Sequence, residues 1–397
     1  MSVEAPVNAA AADGAPATTV PATATGAAQT KFRIDDLLRE LVAREASDLH
    51  LRVGEPPVMR VHGDLFRTNY PKLTAEDTEG LANQLLNEER QARFDEFLEA
   101  DLSYSIPGVS RFRVNFFRQR GHVGAVMRAI PIKIKSIDDL GLPAVTKDLA
   151  LRPRGLVLVT GPTGSGKSTS LAAMIHHINT LTHKHIITVE DPIEFLHQDI
   201  QCAVEQRELG MDTHSFNEAL KHVLRQNPDV ILVGEMRDLE TISLAITAAE
   251  TGHLVFATLH TTDAPQTVDR VIDVFSPEQQ QQIRMQLSVT LLSVISQTLL
   301  PRADEKGRVA AFEVMVCTPA IRALIREGKT HQMYTDIQTG AEHGMISLDQ
   351  YLLDLVKSRV IKYEDALSKS SNPKDFEQRA QKMMAEAAAA AQGQTRR

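Results

Sequence analysis

The sequence predicts an α/β fold in two ordered domains, a small α+β domain followed by a larger one built on a mainly parallel sheet. Three observations carry this. Residues 31–131 mix helical spacing with short strand-like runs. From residue 141 onward, continuous apolar runs alternate with helical stretches, as expected of strands covered on both faces and joined by crossover helices. A glycine-rich loop lies between the first of these strands and its helix. The length of 397 residues also suggests two domains.

The elements follow in order. Residues 1–30 are mostly Ala, Thr, Pro, Val and Gly, with almost no charge and no aromatic residue, and read as a disordered tail. Ile34, Leu37, Leu38, Leu41 and Val42 fall at helical spacing and predict an amphipathic helix over residues 33–45. Strands are predicted at 48–53 and 58–61, then helices at 74–87 and 88–98, the first capped by Thr74 with Asp77 three residues on. Three more strands are predicted at 102–106, 111–119 and 122–129. In the middle one Phe112, Val114 and Phe116 alternate with Arg111, Arg113 and Asn115. This first domain spans 31–131, and residues 132–140 read as a linker. The second domain, 141–376, has strand candidates at 156–160, 186–190, 230–234 and 255–259, and reads as largely helical from about residue 276. Residues 377–397, with alanines at 387–391, read as a fraying helix that leads into a loose tail.

Composition removes several function classes. Hydrophobic residues make up 43% of the chain and charged residues 24%, which is ordinary for a protein with buried cores. No run of about 18 uninterrupted apolar residues offers a membrane span, and the N-terminus lacks the basic and apolar regions of a secretory signal. Cys202 and Cys317 stand far apart, belong to no CxxC pair, and read as two isolated buried thiols rather than a metal module. The formal net charge of −8 argues against a general nucleic-acid binder, which needs clustered Lys and Arg.

The strongest chemical signal is Gly161-Pro162-Thr163-Gly164-Ser165-Gly166-Lys167-Ser168, followed by Thr169 at the start of a helix. Glycines there let backbone N–H groups face inward around an anion, and the helix N-terminus adds to the attraction. Lys167 would reach the β- and γ-phosphates of a nucleotide, and the Ser168 hydroxyl would ligate magnesium. The alternative is a glycine-rich turn with no ligand.

Three more elements follow the loop. Residues 229–233 form an apolar strand that ends in Gly234-Glu235, at the place where a carboxylate can act on magnesium directly or through water. Most ATPases with this loop have an Asp before a Glu at that point, and here Gly234 takes the Asp position. Glu190, Asp191 and Glu194 lie within five residues after another apolar strand and suit water activation, although alone they would read as a solvated turn. His253 and His260 flank the strand at 255–259. His260 leaves on the carboxyl side, where it could sense a γ-phosphate, whereas a lone histidine is more often structural. No Cys or His partner at ligand spacing points to a metal.

In this order the elements resemble the Walker A loop, Asp box, Walker B and His box of the secretion ATPase superfamily of type II secretion and type IV pili. The resemblance covers residues 31–376 and is strongest to PilT-type pilus-retraction ATPases. It rests on Ser47-Asp48-Leu49-His50-Leu51, on EDPIEFLH at 190–197, on GEMRD at 234–238 and on the segment Ala320 to Lys329, which resembles the AIRNLIRE helix tied to retraction. That segment also fits an ordinary amphipathic helix with Ile321, Leu324 and Ile325 buried. The long N-terminal region and four-cysteine insertion of extension and secretion relatives are lacking.

The resemblance implies a PAS-like N-terminal domain, a RecA-like P-loop NTPase C-terminal domain, and a homohexameric ring with ATP and Mg2+ between subunits. It implies Glu194 as the base that orients water, Glu235 as the Walker B acid, and Arg113 and Arg128 as arginine fingers. Implied partners are an inner-membrane pilus platform protein and a paralogous retraction ATPase, with no nucleic acid and no direct membrane insertion. The implied location is the cytoplasm, docked at the inner-membrane base of the pilus machine. Other readings are a pilus extension or type II secretion ATPase, a RecA-like nucleic-acid motor, and an accessory retraction paralogue that does not hydrolyse ATP. The alanine-rich ends depart from the family pattern.

Overall fold

The computed structural model describes residues 31–394 apart from 62 and 132, so the tail expected at 1–30 and the last three residues lie outside it. Two units separate. One runs up to Tyr104 and includes Arg113–Arg128; the other holds Ser105–Phe112 and the chain from Ala129.

In the first unit, α1 (Ile34–Ala43) buries Ile34, Leu37, Leu38 and Leu41, the stripe that the spacing predicts. Strands β1 (Asp48–Leu51), β2 (Val58–Val61) and β3 (Asp64–Arg67) precede α2 (Ala75–Asn83) and α3 (Glu88–Phe97); β4 (Glu99–Ile106), β5 (Ser110–Gln119) and β6 (His122–Ile130) follow. They form a six-stranded sheet in the order β3-β2-β1-β6-β5-β4. Along β5 buried and half-buried residues alternate from Ser110 to Phe117. Helix α2 begins with a reciprocal cap: the Asp77 N–H donates to Thr74 Oγ1 at 3.2 Å and the Thr74 N–H donates to Asp77 Oδ2 at 3.0 Å. Strand β3 was not foreseen, because all four of its residues are exposed and no alternation marks it.

The second unit begins with α4 (Val145–Ala150), β7 (Gly155–Thr160), α5 (Lys167–Leu181), β8 (His185–Glu190) and β9 (Ala203–Glu208). Next come α6 (Phe216–Val223), β10 (Val230–Val233), α7 (Leu239–Glu250), β11 (Leu254–Leu259), α8 (Ala264–Asp273) and α9 (Pro277–Thr290). After β12 (Leu291–Pro301) and β13 (Arg308–Val316) it closes with α10 (Pro319–Glu327), α11 (Met333–Thr339), α12 (Leu348–Lys357), α13 (Tyr363–Lys369) and α14 (Pro373–Gln394). The seven strands follow the order β13-β12-β7-β11-β10-β8-β9, parallel except for the antiparallel pairing of β12 with β13.

The continuous apolar runs now have a physical cause. Leu156, Leu158, Ile231, Val233, Val255 and Ala257 pack into a core with α6, α7 and α8 on one face. Val157, Val159, Val230, Leu232, Leu254 and Phe256 pack with α4 and α5 on the other. A strand covered on both faces has no polar side to alternate with. Cys202 and Cys317 are both buried and free.

The region after residue 276 is largely helical, as expected, with one correction. It contains β12 and β13, a hairpin that the helical reading missed. Helix α9 ends at Thr290 and β12 begins at Leu291, with neither Gly nor Pro to mark the change. Strand β9 (AVEQRE) was missed as well, because its polar residues hide an edge strand that pairs only with β8.

Candidate active site

Parallel strands all end at one edge of a sheet, so the segments that follow β7, β8, β10 and β11 gather there. They enclose a cleft of about 390 Å³ lined by Thr163, Gly164, Gly166, Lys167, Ser168 and Thr169 from the first, Glu190, Asp191 and Glu194 from the second, Gly234 and Glu235 from the third, and His260 from the fourth.

The loop is built to hold an anion. Gly161 has φ +139°, and a Cβ there would lie 2.2 Å from the Gln297 carbonyl oxygen. Gly166, at φ +91°, is the residue before the first turn of the 15-residue helix α5. Ser165 Oγ is buried and makes no hydrogen bond among the described residues. Lys167 Nζ donates to Gly161 O at 2.9 Å and Pro162 O at 3.2 Å and lies 3.5 Å from His260 Nδ1. Burial lowers the Lys167 pKa, against the raising influence of Glu235 and Glu194. A helix N-terminus, a half-buried ammonium and a loop folded around its own glycines fit a phosphate group.

The carboxylates across the cleft stand in different surroundings. Glu235 receives Arg237 Nη2 on Oε2 at 2.7 Å and faces His260 Nε2 from Oε1 at 3.0 Å. The Arg237 hydrogen bond holds this carboxyl below its usual range; burial opposes it and His260 assists. Glu190 points inward. It accepts from Thr188 Oγ1 at 2.6 Å and from Gln206 Nε2 at 3.1 Å, and burial raises its pKa against those bonds. Gln206 also donates to Phe195 O at 2.9 Å and accepts from the His197 N–H at 2.8 Å, so β9 pins the segment that carries Glu194. Glu194 itself is exposed. His197 is forced down to about 4 by burial.

Gly234 has a packing reason. A Cβ there would lie 3.1 Å from both Glu190 Cα and Val189 O, so a side chain at this point crowds the end of β8. The Gly234 N–H donates to Val189 O at 2.8 Å, and Thr258 Oγ1 donates to Gly234 O. An Asp in this position would have to push the two strand ends apart.

The structure therefore brings Lys167, Ser168, Thr169, Glu194, Glu235 and His260 into one cleft. Arg113 and Arg128 belong to the first unit, on β5 and β6, and Arg128 Nε donates to Asp48 Oδ1 at 2.7 Å. Sequence reasoning missed Arg237, Gln206 and Gln297. Arg237 lies within the GEMRD segment at 234–238, while the two glutamines act through contacts that no local pattern encodes.

Comparison with known proteins agrees with this architecture. A profile of the family described as type II/IV secretion system protein matches residues 21–366. The type IV pilus retraction ATPase PilT of Pseudomonas aeruginosa is 53% identical over 343 residues, covering 86% of this chain and 99% of that one. The type IV pilus ATPase PilU of the same organism is 43% identical, covering 87% and 90%. A crystal structure of the pilus retraction motor PilT with bound ADP superposes with a TM-score of 0.82 at 46% identity, covering 88% of this chain and 100% of the other. The fold is thus a RecA-like ATPase domain with a smaller N-terminal α+β domain, and the chain belongs to the type II/IV secretion system protein family.

Proposed function

We propose that this chain is the subunit of an ATP-hydrolysing motor that powers type IV pilus retraction and hence twitching motility. The observation that carries the reading is the convergence of a Walker A loop, two carboxylates and a histidine in one cleft at the carboxyl edge of a parallel sheet. Identity of 53% to a retraction ATPase, against 38% to the type IV pilus assembly ATPase PilB and 35% to a type II secretion ATPase, supports retraction over extension and secretion.

In this reading the backbone of residues 161–168 cradles the β-phosphate and Lys167 leaves Gly161 O and Pro162 O to reach the γ-phosphate. Glu194, exposed on the cleft wall, orients the attacking water. His260 joins Lys167 to Glu235, so it can report whether the γ-phosphate position is filled. Ser168 and Glu235 line the same cleft and offer oxygen donors, which suits Mg2+ held by these two residues and by phosphate oxygens. When bound, Mg2+ neutralises charge that develops on the phosphates. Arg113 and Arg128 are the proposed arginines that complete the site on assembly, Arg128 after leaving Asp48. The assembly is a homohexamer, its proposed partners are a membrane platform protein and a paralogous ATPase, and its proposed place is the cytoplasmic base of the pilus machine. Among the described residues no helix is long and apolar enough to cross a membrane.

The test replaces Lys167 with Ala and labels pili on living cells. Long pili that fail to retract support the proposal. Bald cells would assign the chain to extension, and unaltered pili would separate it from this machine.

A further inference from the structure

The missed strand β12 runs beside β7, and Ser296 pairs with Thr160, the last residue of β7. Thr160 Oγ1 and Ser296 Oγ lie 2.8 Å apart in the core. The next residue, Gln297, is therefore set directly beneath the loop that leaves β7. It is 3% exposed. Its Nε2 donates to Ser165 O at 2.7 Å and its Oε1 accepts from Ser170 Oγ at 2.8 Å. The amide orientation is fixed by chemistry: a peptide carbonyl can only accept, so nitrogen must face Ser165 and oxygen must face the hydroxyl.

We propose that Gln297 is a positioning residue of the phosphate loop, which sets the direction of the Gly166 N–H. The Ser165–Gly166 peptide is a rigid plane in which C=O and N–H point in opposite directions. Gln297 holds the carbonyl downward, away from the cleft, and so turns the Gly166 N–H upward toward the anion. The same contact explains why residue 166 lacks a side chain. A Cβ on Gly166 would stand 3.2 Å from Gln297 Nε2, and one on Gly161 would strike the Gln297 carbonyl. Both glycines are shaped around this one residue, Gly166 against its side chain and Gly161 against its backbone. Ser170, on the first turn of α5, takes the remaining amide oxygen, so one buried group ties loop, helix and sheet together.

This inference rests on the nucleotide-binding reading of the loop, and the experiment separates the two. ADP affinity is measured by calorimetry on the full chain for the parent, Gln297→Glu, Gln297→Leu and Ser170→Ala, with kcat and KM for ATP and a thermal melt for each. Gln297→Glu keeps size and the acceptor for Ser170 but sets a carboxylate against the Ser165 carbonyl. We expect its ADP Kd and ATP KM to rise by about tenfold or more, the size of a lost hydrogen bond to a charged ligand. kcat per bound nucleotide should change far less. Ser170→Ala, which removes one oxygen and no packing, should raise Kd by about threefold and serves if neither Gln297 variant folds. Variants that fold and bind ADP within twofold of the parent overturn the inference. A parent that binds no ADP overturns the nucleotide reading instead.

Discussion

The two rims of the cleft are built in different ways. The loop rim rests on buried contacts: Gln297 under Ser165, Gly161 against the β12 backbone, and α5 packed through Leu171, Met174, Ile175 and Ile178 into the core. The acidic rim is held by side chains that reach into solvent. Glu235 is 19% exposed, yet its partners Arg237 and His260 are 63% and 47% exposed. Exposed ion pairs contribute little to stability and exchange partners readily, whereas a buried amide with both ends bonded holds one geometry. One rim is a fixed cradle and the other can be rearranged when charge arrives, which is the division of labour a site needs if it is to bind tightly and still respond.

Each rim can be broken in turn. The largest effect should come from Lys167→Ala, which removes the charge at the centre of the fixed rim: kcat for ATP hydrolysis should fall by about 10³-fold or more. Glu194→Gln should lower kcat by about 10²-fold with KM for ATP almost unchanged, because a water-orienting group acts in the transition state. A comparable rise in KM would instead make Glu194 a binding residue.

Glu313, on β13, tests the start of α8, the helix that follows the His260 segment. It is buried, accepts from the Ala264 N–H at 2.9 Å at the start of α8, and is pushed by burial from 4.5 to about 7. A carboxyl whose pKa is raised on folding favours the folded state fully below 4.5, and that contribution is lost as pH rises through about 7. Glu313→Gln keeps an acceptor and removes the ionisation. Its stability relative to the parent should grow from near zero in acid to about 3 kcal/mol at about pH 8, as read from denaturant melts. A gain that does not depend on pH would contradict this.

Gly234→Ala should cost about 1–3 kcal/mol in the same melts, since its Cβ crowds β8 where the two acidic segments meet. Arg237→Ala should have the smallest effect. Stability should change by no more than about 1 kcal/mol. Loss of its hydrogen bond lets the Glu235 carboxyl rise toward its usual range, so the acid limb of kcat/KM should move to higher pH.

The legible parts share a property: their signal is local. The strand–loop–helix of β7 and α5, the buried strands β8, β10 and β11, the alternation in β5 and the Thr74 cap each announce themselves within a dozen residues. The carboxylates at 194 and 235 and His260 could be placed because parallel strands end together. What escaped is long-range. Gln297 meets the loop across 132 residues, and Gln206 joins Glu190 from an edge strand whose polar residues carry no strand signal. Nothing near Leu291 reports that a helix becomes a strand there, because that change is imposed by pairing with β7 and β13.

That junction limits how the chain can vary in length. Thr290 closes α9, Leu291 opens β12, and Arg322 Nη1 clamps the join by donating to Val289 O at 2.7 Å. The pairing with β7 shifts register between Leu291 and Ser293, but from Ser293 successive residues face opposite sides, so one residue inserted between Ser293 and Gln297 would turn Gln297 away from the loop, and two would carry it about one pleat past Ser165. Insertions and deletions in this part of the sequence are therefore best taken up in the turn between Pro301 and Arg308, where a Gly307 at φ +86° already reverses the chain in solvent.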